Sequence, residues 1–372
     1  MTKKHLASAL LSLALINGVS AQDSTKSLTF SGSVDAYYRY NFNAPSGKTN
    51  NYTSFTNSQN SFELGMAELR VDGSALSGKV TATADLGFGR RAEEFSYTDG
   101  AGFPLGGGNG FTTLAPVQQL FISFTPGTVG KGVKFSIGKW ATHMSYEVAN
   151  APLNRNYSMD YMFTYQPFNH TGIKAEYTKD TWGFMIGIAN PTDNTTTISG
   201  VKTLIAQISD GTKNGKVKVF LNYQGFFGAN HGTMATSNVS FNNLKSLNHV
   251  EVVGTALFNP KWNIGFHVST QFRTDTTGES KSWWGSALYI NYDPSSKIGL
   301  TLRSEYISDN KLSLYASKSI YDVTLSLNYK VGPITIIPEL RFDAAESEIF
   351  NKKDGTGSKS TATGLLAAVY KF

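Results

Sequence analysis

Charges of opposite sign recur at even spacings along this sequence: Asp35 with Arg39, Lys174 with Glu176, Arg303 with Glu305, and Glu339 with Arg341 and Asp343. An even spacing places side chains on one face of a strand. If that face lines a water-filled bore, the charges set up a transverse field and a weak ion selectivity. If it does not, they are cross-strand ion pairs that stiffen a wall. Both readings are open at this stage. In the first, Arg39, Arg303 and Arg341 attract anions, while Glu147, Glu305, Glu339 and Asp343 oppose them across the bore. A second concentration lies in residues 141–170, where His143, Tyr146, Glu147, Arg155, Asp160 and His170 mix with Met144, Met159, Met162 and Phe163. That mixture favours burial over full solvation. It predicts a segment folded inward to narrow the bore, with an external cap as the alternative.

Catalytic constellations are weak. The chain has no cysteine, which excludes disulfides, thiolate metal sites and cysteine nucleophiles. Past the first residues the histidines are His143, His170, His231, His249 and His267, and none pairs at HxH or HxxxH spacing. A Ser–His hydrolase needs a histidine oriented by a third group; His267 beside Ser269 is the one candidate, and it reads as a solvated lumenal histidine. Gly106-Gly107-Gly108-Asn109-Gly110 lacks the Lys-Ser/Thr of a phosphate loop and reads as a flexible loop tip. Asn190-Pro191-Thr192-Asp193-Asn194 lacks cation-loop spacing and reads as a turn. No enzyme, cofactor or metal site is expected. With 33 Lys+Arg against 27 Asp+Glu and no basic cluster, nucleic acid is not an expected partner.

The elements that carry these residues have a period of two. Trp262, Ile264, Phe266, Val268 and Phe272 alternate with Asn263, His267, Ser269, Gln271 and Arg273. Tyr321 to Val331 and Leu28 to Phe42 behave alike, so the chain reads as all-β. Apolar faces often begin and end on aromatics. Ten residues of strand tilted by ~40° span ~25 Å of height, the thickness of a lipid-facing band with aromatic girdles. Seven short connections, near 75–78, 126–132, 179–181, 210–215, 259–261, 293–297 and 332–333, alternate with eight longer polar ones at 44–59, 91–115, 141–170, 190–202, 224–246, 275–281, 309–318 and 344–360. The pattern predicts a transmembrane antiparallel barrel of about 16 strands, with short periplasmic turns and long extracellular loops. Ser158 to Gln166 looks like a further strand. Parity of the count places it within the inward loop. A barrel this size leaves a channel rather than a filled core. Pro338 falls mid-strand on the lipid side, where its missing N–H predicts a bulge or a local break.

At the front, Lys3 and Lys4, the apolar Leu6 to Ile16 and Val19-Ser20-Ala21 before Gln22 form a secretory signal peptide, predicted to be cleaved after residue 21. The apolar run is far short of the ~20 residues of a spanning helix. Residues 22–372 are then the barrel, ending on the alternating Leu366, Ala368, Tyr370 and Phe372, the type of C-terminal strand that outer-membrane insertion machinery reads.

Several segments resemble the OmpL-like β-barrel porin family of Bacteroidota. They are Asn156-Tyr157-Ser158, Pro167-Phe168-Asn169-His170-Thr171-Gly172, Arg303-Ser304-Glu305-Tyr306 followed by Asp309, and Pro338-Glu339-Leu340-Arg341-Phe342-Asp343. Met159 departs from the arginine common there in the family. The resemblance implies an outer-membrane porin in a Gram-negative envelope, passing small hydrophilic solutes passively. The expected pore-lining or constriction residues are Asp35, Arg39, Tyr146, Glu147, Arg155, Asp160, Arg303, Glu305, Glu339, Arg341 and Asp343. Expected partners are outer-membrane lipid, hydrophilic solutes with a slight preference for anions, the insertion machinery and a homotrimer. The rival expectations are a closed barrel acting through its outer loops and, more remotely, a barrel hydrolase.

Overall fold

Alternation of apolar and polar residues becomes alternation of outward and inward side chains once the strands pair. The computed structural model describes residues 26–46, 50–97, 114–129, 131–197, 200–233, 240–309, 311, 314 and 317–372. The signal-peptide segment and the Gly106–Gly110 tip lie outside them. Strands β1 (Ser27–Asn41), β2 (Ser61–Ala75), β3 (Val80–Phe88), β4 (Val117–Phe124), β5 (Lys134–Ala141), β6 (Asn169–Lys179), β7 (Trp182–Ala189), β8 (Thr203–Gly211) and β9 (Val217–Thr233) follow one another around the wall. The wall continues through β10 (Ser240–Asn259), β11 (Trp262–Asp275), β12 (Ser280–Tyr292), β13 (Ile298–Ser308), β14 (Ser319–Val331) and β15 (Ile334–Ala345). A small hairpin, β16 (Phe350–Asn351) with β17 (Gly357–Ser358), stands apart, and β18 (Ser360–Lys371) completes the wall between β15 and β1. The result is a closed antiparallel barrel of 16 strands. At the seam, Tyr37 pairs with Ala367.

Which side chains face out follows from the register. On β15, Leu340 and Phe342 are exposed, while Glu339, Arg341 and Asp343 are buried inside. Leu325, Val268 and Ile186 lie on the same apolar exterior. Its rim carries aromatic contacts such as Trp262 stacked on Tyr292 at 4.3 Å. Among the described residues no helix is long and apolar enough to cross a membrane.

Three local expectations change. Residues 224–246 do not form a simple loop: β9 and β10 run on as a paired hairpin to Thr233 and Ser240, with register shifts at Leu244. Polar arms outside lipid keep their ladder because backbone pairing does not depend on side-chain polarity. Residues 275–281 form a tight turn closed by Gly278 N–H donating to Asp275 at 3.1 Å. At Pro338, by contrast, the expected disturbance takes the form of a local break rather than a bulge. Its register with β18 is continuous, and pairing with β14 lapses between Ser326↔Glu339 and Tyr329↔Ile336 without a shift. The pyrrolidine nitrogen has no hydrogen to give there. Ser158 to Gln166 lies inside the barrel as expected, but it holds a helical turn, α2 (Tyr161–Thr164), rather than a strand. Its apolar residues are buried on every side, so the apparent period of two was fortuitous. Asp160 caps the turn, accepting from Phe163 N–H at 2.6 Å.

Three chain segments fill the bore. The long one runs from Thr142 to Phe168 and is closed at its neck by Thr142 N–H donating to Phe168 O at 2.9 Å. A short helix, α1 (Arg90–Phe95), and residues 50–59 pack against it. Phe55, Phe95, Met159, Phe163 and Phe168 form one apolar cluster there. Tyr161, Met162 and Tyr165 form another with the inward-facing Trp283, Tyr289 and Ile307.

Candidate functional site: the inward loop and its cradle

Burying a loop inside a barrel strands its backbone N–H groups away from water, and each needs a partner. The wall supplies carboxylates. Glu339 on β15 accepts from Tyr157 N–H at 2.8 Å and Ser158 N–H at 3.1 Å. Glu305 on β13 accepts from Tyr161 N–H at 2.7 Å and Met162 N–H at 2.8 Å, at the start of α2. Asp35 on β1 accepts the phenolic O–H of Tyr157 at 2.5 Å, and Asp343 accepts that of Tyr161 at 2.7 Å. Gly65 makes the first of these contacts possible: a Cβ there would lie 1.7 Å from Asp35 Oδ2 and 2.6 Å from the Tyr157 hydroxyl.

Arginines meet the loop's carbonyls from the same wall. Arg303 donates through Nη1 to Ser158 O at 2.7 Å and to Glu147 at 2.7 Å, and lies 3.3 Å from Asp322. Arg341 donates to Met159 O at 2.6 Å and pairs with Asp343 at 2.7 Å and Asp322 at 3.2 Å. Arg39 donates to Ser58 O at 2.7 Å, binding the 50–59 segment instead. From α1, the fully buried Arg91 donates to Ala149 O at 2.9 Å and Tyr157 O at 3.3 Å.

The remaining expected residues sit on the loop itself. Glu147 accepts Asp160 N–H at 2.8 Å; burial pushes its carboxyl up against the pull of Arg303. Asp160 accepts the Tyr289 hydroxyl at 2.7 Å and lies 3.6 Å from His267 Nδ1. Burial alone would push the Asp160 carboxyl up, but His267 and Arg303 hold it below the usual carboxylate range. Arg155 pairs with Asp293 at 2.6 Å and donates to Thr301 at 2.8 Å. Tyr146 stacks on Tyr289 with centroids 4.0 Å apart. Its ring occupies the dent at Gly265, where a Cβ would come within 2.2 Å. All the expected residues therefore converge on the junction between wall and inward segments, with their charges facing partners.

Other members of the junction were not anticipated. Glu251 accepts from Ser145 N–H, Gln166 Nε2 and Asn222 Nδ2, each at 2.6 Å, and lies 3.0 Å from His267 Nε2. Its alternation with His249 and Val253 on the inward face was the available signal. Asp193 accepts Phe168 N–H at 2.6 Å and Asn169 N–H at 3.0 Å, so the 190–194 turn grips the foot of the loop. His267 is not solvated as expected; it is fully buried between Asp160 and Glu251. Ser269 meets His249 instead, at 2.7 Å, and the other nitrogen of His249 faces Gln271 at 3.3 Å rather than a carboxylate. No group of three or more metal-ligating side chains is found among the described residues.

Space remains on both sides of the plug. A cavity of about 420 Å³ lies between the loop's underside and β8–β13. Another, of about 330 Å³, lies by α1 and the 50–59 segment, lined by Tyr37, Asn57, Glu63, Arg90 and Glu94.

A closed 16-strand barrel with an apolar exterior, a polar interior and a loop folded into its bore defines an outer-membrane barrel of the porin class. Residues 27–372 match the model of the family described as "Putative beta-barrel porin-2, OmpL-like", and the chain belongs to that family of outer-membrane porins. Solved structures similar in fold include OmpT of Vibrio cholerae, at 14% identity and TM-score 0.59 over 95% of this chain and 99% of that one. An anion-selective porin from Comamonas acidovorans is similar at 11% identity and TM-score 0.60, covering 93% and 100%. The outer membrane channel DcaP of Acinetobacter baumannii follows at 12% and 0.56, covering 94% and 98%. No curated protein sequence matches.

Proposed function

We propose that this porin passes small hydrophilic solutes and ions passively, at a rate set by the inward segments rather than by the barrel's diameter. The observation that carries this reading is the cradle: the wall carboxylates Glu305 and Glu339 each bind two consecutive loop N–H groups. Asp35, Arg39, Tyr146, Glu147, Arg155, Asp160, Arg303, Glu305, Glu339, Arg341 and Asp343 are then constriction residues that act by fixing the plug, with their fields largely cancelled in pairs. That leaves little basis for strong ion selectivity. The protein has no catalytic role in this reading: the His249–Ser269 pair is fully buried and lacks an orienting acid.

In the same reading, residues 1–21 are an export signal, cleaved before residues 22–372 enter the outer membrane of a Gram-negative cell. The strand ending at Phe372 is presented to the insertion machinery. A homotrimer is the expected assembly, since one of the similar structures, OmpT, is described in a trimer form.

Single-channel recording from refolded protein in a planar bilayer tests the proposal. Stable steps are expected, small for a barrel of this size and larger once the 142–168 loop is shortened. A verified, folded barrel that stays silent before and after shortening overturns diffusion and favours a closed barrel acting through its outer loops, the reading that the dense packing of the bore supports.

A further inference from the structure

We propose that the cavity beneath the inward loop is a binding subsite for a neutral, polyhydroxylated solute, a mono- or disaccharide. This deepens the porin reading and rests on it for the solute's route. The walls come from Gln207, Phe220, Asn222 and Asn291, and the roof from Tyr146 and Asn154 of the loop.

The charge balance selects the ligand class. Arg155 reaches the cavity already paired with Asp293 at 2.6 Å, and Glu147 is held by Arg303 at 2.7 Å. Burial keeps the His143 imidazole neutral by pushing it down to about 4. An ionic solute would shed its water here without meeting an uncompensated charge. A neutral solute rich in hydroxyls meets the reverse situation. Gln207 spends its amide hydrogens on Asn222 Oδ1 at 2.7 Å and His143 O at 3.3 Å, whereas Asn222 and Asn291 each spend one, on Glu251 and Asn263, and so each keeps one N–H for a sugar hydroxyl. Phe220 and the Tyr146–Tyr289 stack supply the apolar surface that the C–H face of a pyranose covers.

Size and position agree with that class. The volume falls within the ~300–1,000 Å³ of small-molecule sites. The wall residues sit close to the short turns: Thr255 lies four positions before the end of β10 at Asn259, and Thr301 three after the start of β13 at Ile298. The subsite therefore belongs to the end of the bore that carries those turns.

Saturation-transfer difference NMR on the folded full chain in detergent, with maltose and glucose as probes and glutamate and trilysine as controls, tests the assignment. Transfer to the sugars and not to the controls is expected. Removing one hydrogen-bonding partner, as in Asn291→Leu, should weaken maltose binding about fivefold or more, and Phe220→Ala should weaken it similarly. Native heat-modifiability of both variants on a gel establishes their fold. Equal transfer to sugars and controls, or unchanged affinity in both folded variants, overturns the subsite. Bilayer recording separates the two proposals. A conducting channel indifferent to maltose, with no transfer in NMR, refutes the subsite and leaves diffusion standing; sugar binding to a barrel that never conducts supports the subsite and refutes diffusion.

Discussion

Asp160 is the residue through which the plug is most directly perturbed. Its carboxylate accepts from Phe163 N–H at 2.6 Å as the cap of α2 and from the Tyr289 hydroxyl at 2.7 Å. Truncation to alanine removes both. Loss of an N-cap costs about 1 kcal/mol, and loss of a hydrogen bond to an ionised group costs about 1.5–3 kcal/mol. Together these come to about 2.5–4 kcal/mol, which raises the population of the undocked loop by roughly 10² to 10³ at about 1.4 kcal/mol per factor of ten. Asp160→Asn keeps the capping oxygen, but its amide N–H2 replaces the oxygen that accepts from Tyr289, so its effect is expected to be about tenfold, the upper end of a neutral hydrogen bond's value. Hydrogen exchange followed by mass spectrometry reads this directly. Peptides covering 157–166 should lose protection in the order alanine, asparagine, wild type, while peptides from β11 and β12 keep theirs. Exchange in 157–166 that stays within twofold of wild type in the alanine variant refutes the reasoning. So does a strand peptide that opens together with the loop.

Other consequences can be checked separately. A methyl group on Gly265 would fall within 2.2 Å of the Tyr146 ring. Gly265→Ala should therefore cost about 1–3 kcal/mol of overpacking, seen as weakened near-ultraviolet dichroism from the tyrosine pair with far-ultraviolet strand signal intact. The Asp193 carboxyl is pushed up to about 7 by burial, against the hydrogen bonds of Asn169 and Phe168. The docked form thus holds this proton more tightly than the released form, so docking is strongest below about pH 4 and weakens as pH rises toward 7. Exchange at Phe168 and Asn169, corrected for intrinsic rates, should be faster at pH 8 than at pH 5, and Asp193→Asn should flatten the profile; a slope of opposite sign would count against it. On the lipid face, Leu325→Arg should destabilise the barrel by about 2–4 kcal/mol in vesicle-based denaturant titration, whereas an unchanged midpoint would mean that this face is not in contact with lipid.

The wall was legible in the sequence because a strand's period of two survives any neighbour. Turns such as 179–181 and 332–333 stood out, and the strand count followed from parity. The interior was less legible. Residue type showed that Met144, Met159, Met162 and Phe163 seek burial, yet alternation could not tell a strand from the capped turn of α2. That distinction lies in Asp160, whose capping partner is three residues on. Pairing across the bore was out of reach for a different reason. Glu305 and Met162 are separated by 143 residues, and nothing local to either specifies the other. The same holds for Arg91 and Tyr157, which lie 66 residues apart. Pro338 was legible as a local break, because its missing donor interrupts the pairing with β14 without changing register.

Tyr157 has a consequence in time as well as in space. Its hydroxyl reaches Asp35 on β1 and its backbone N–H reaches Glu339 on β15, and the strand between those two is β18, the last to be made. Until β18 has paired on both sides, the two anchors are not held at a fixed separation and Tyr157 cannot bind both, although Glu305 and Glu251 already offer partners to other parts of the loop. Contacts this distant along the chain also form slowly. Full seating of the loop at Tyr157 therefore depends on closure of the barrel. The loop then acts as a latch thrown across a join already shut, so a chain that fails to seal at its ends will also be one that leaks.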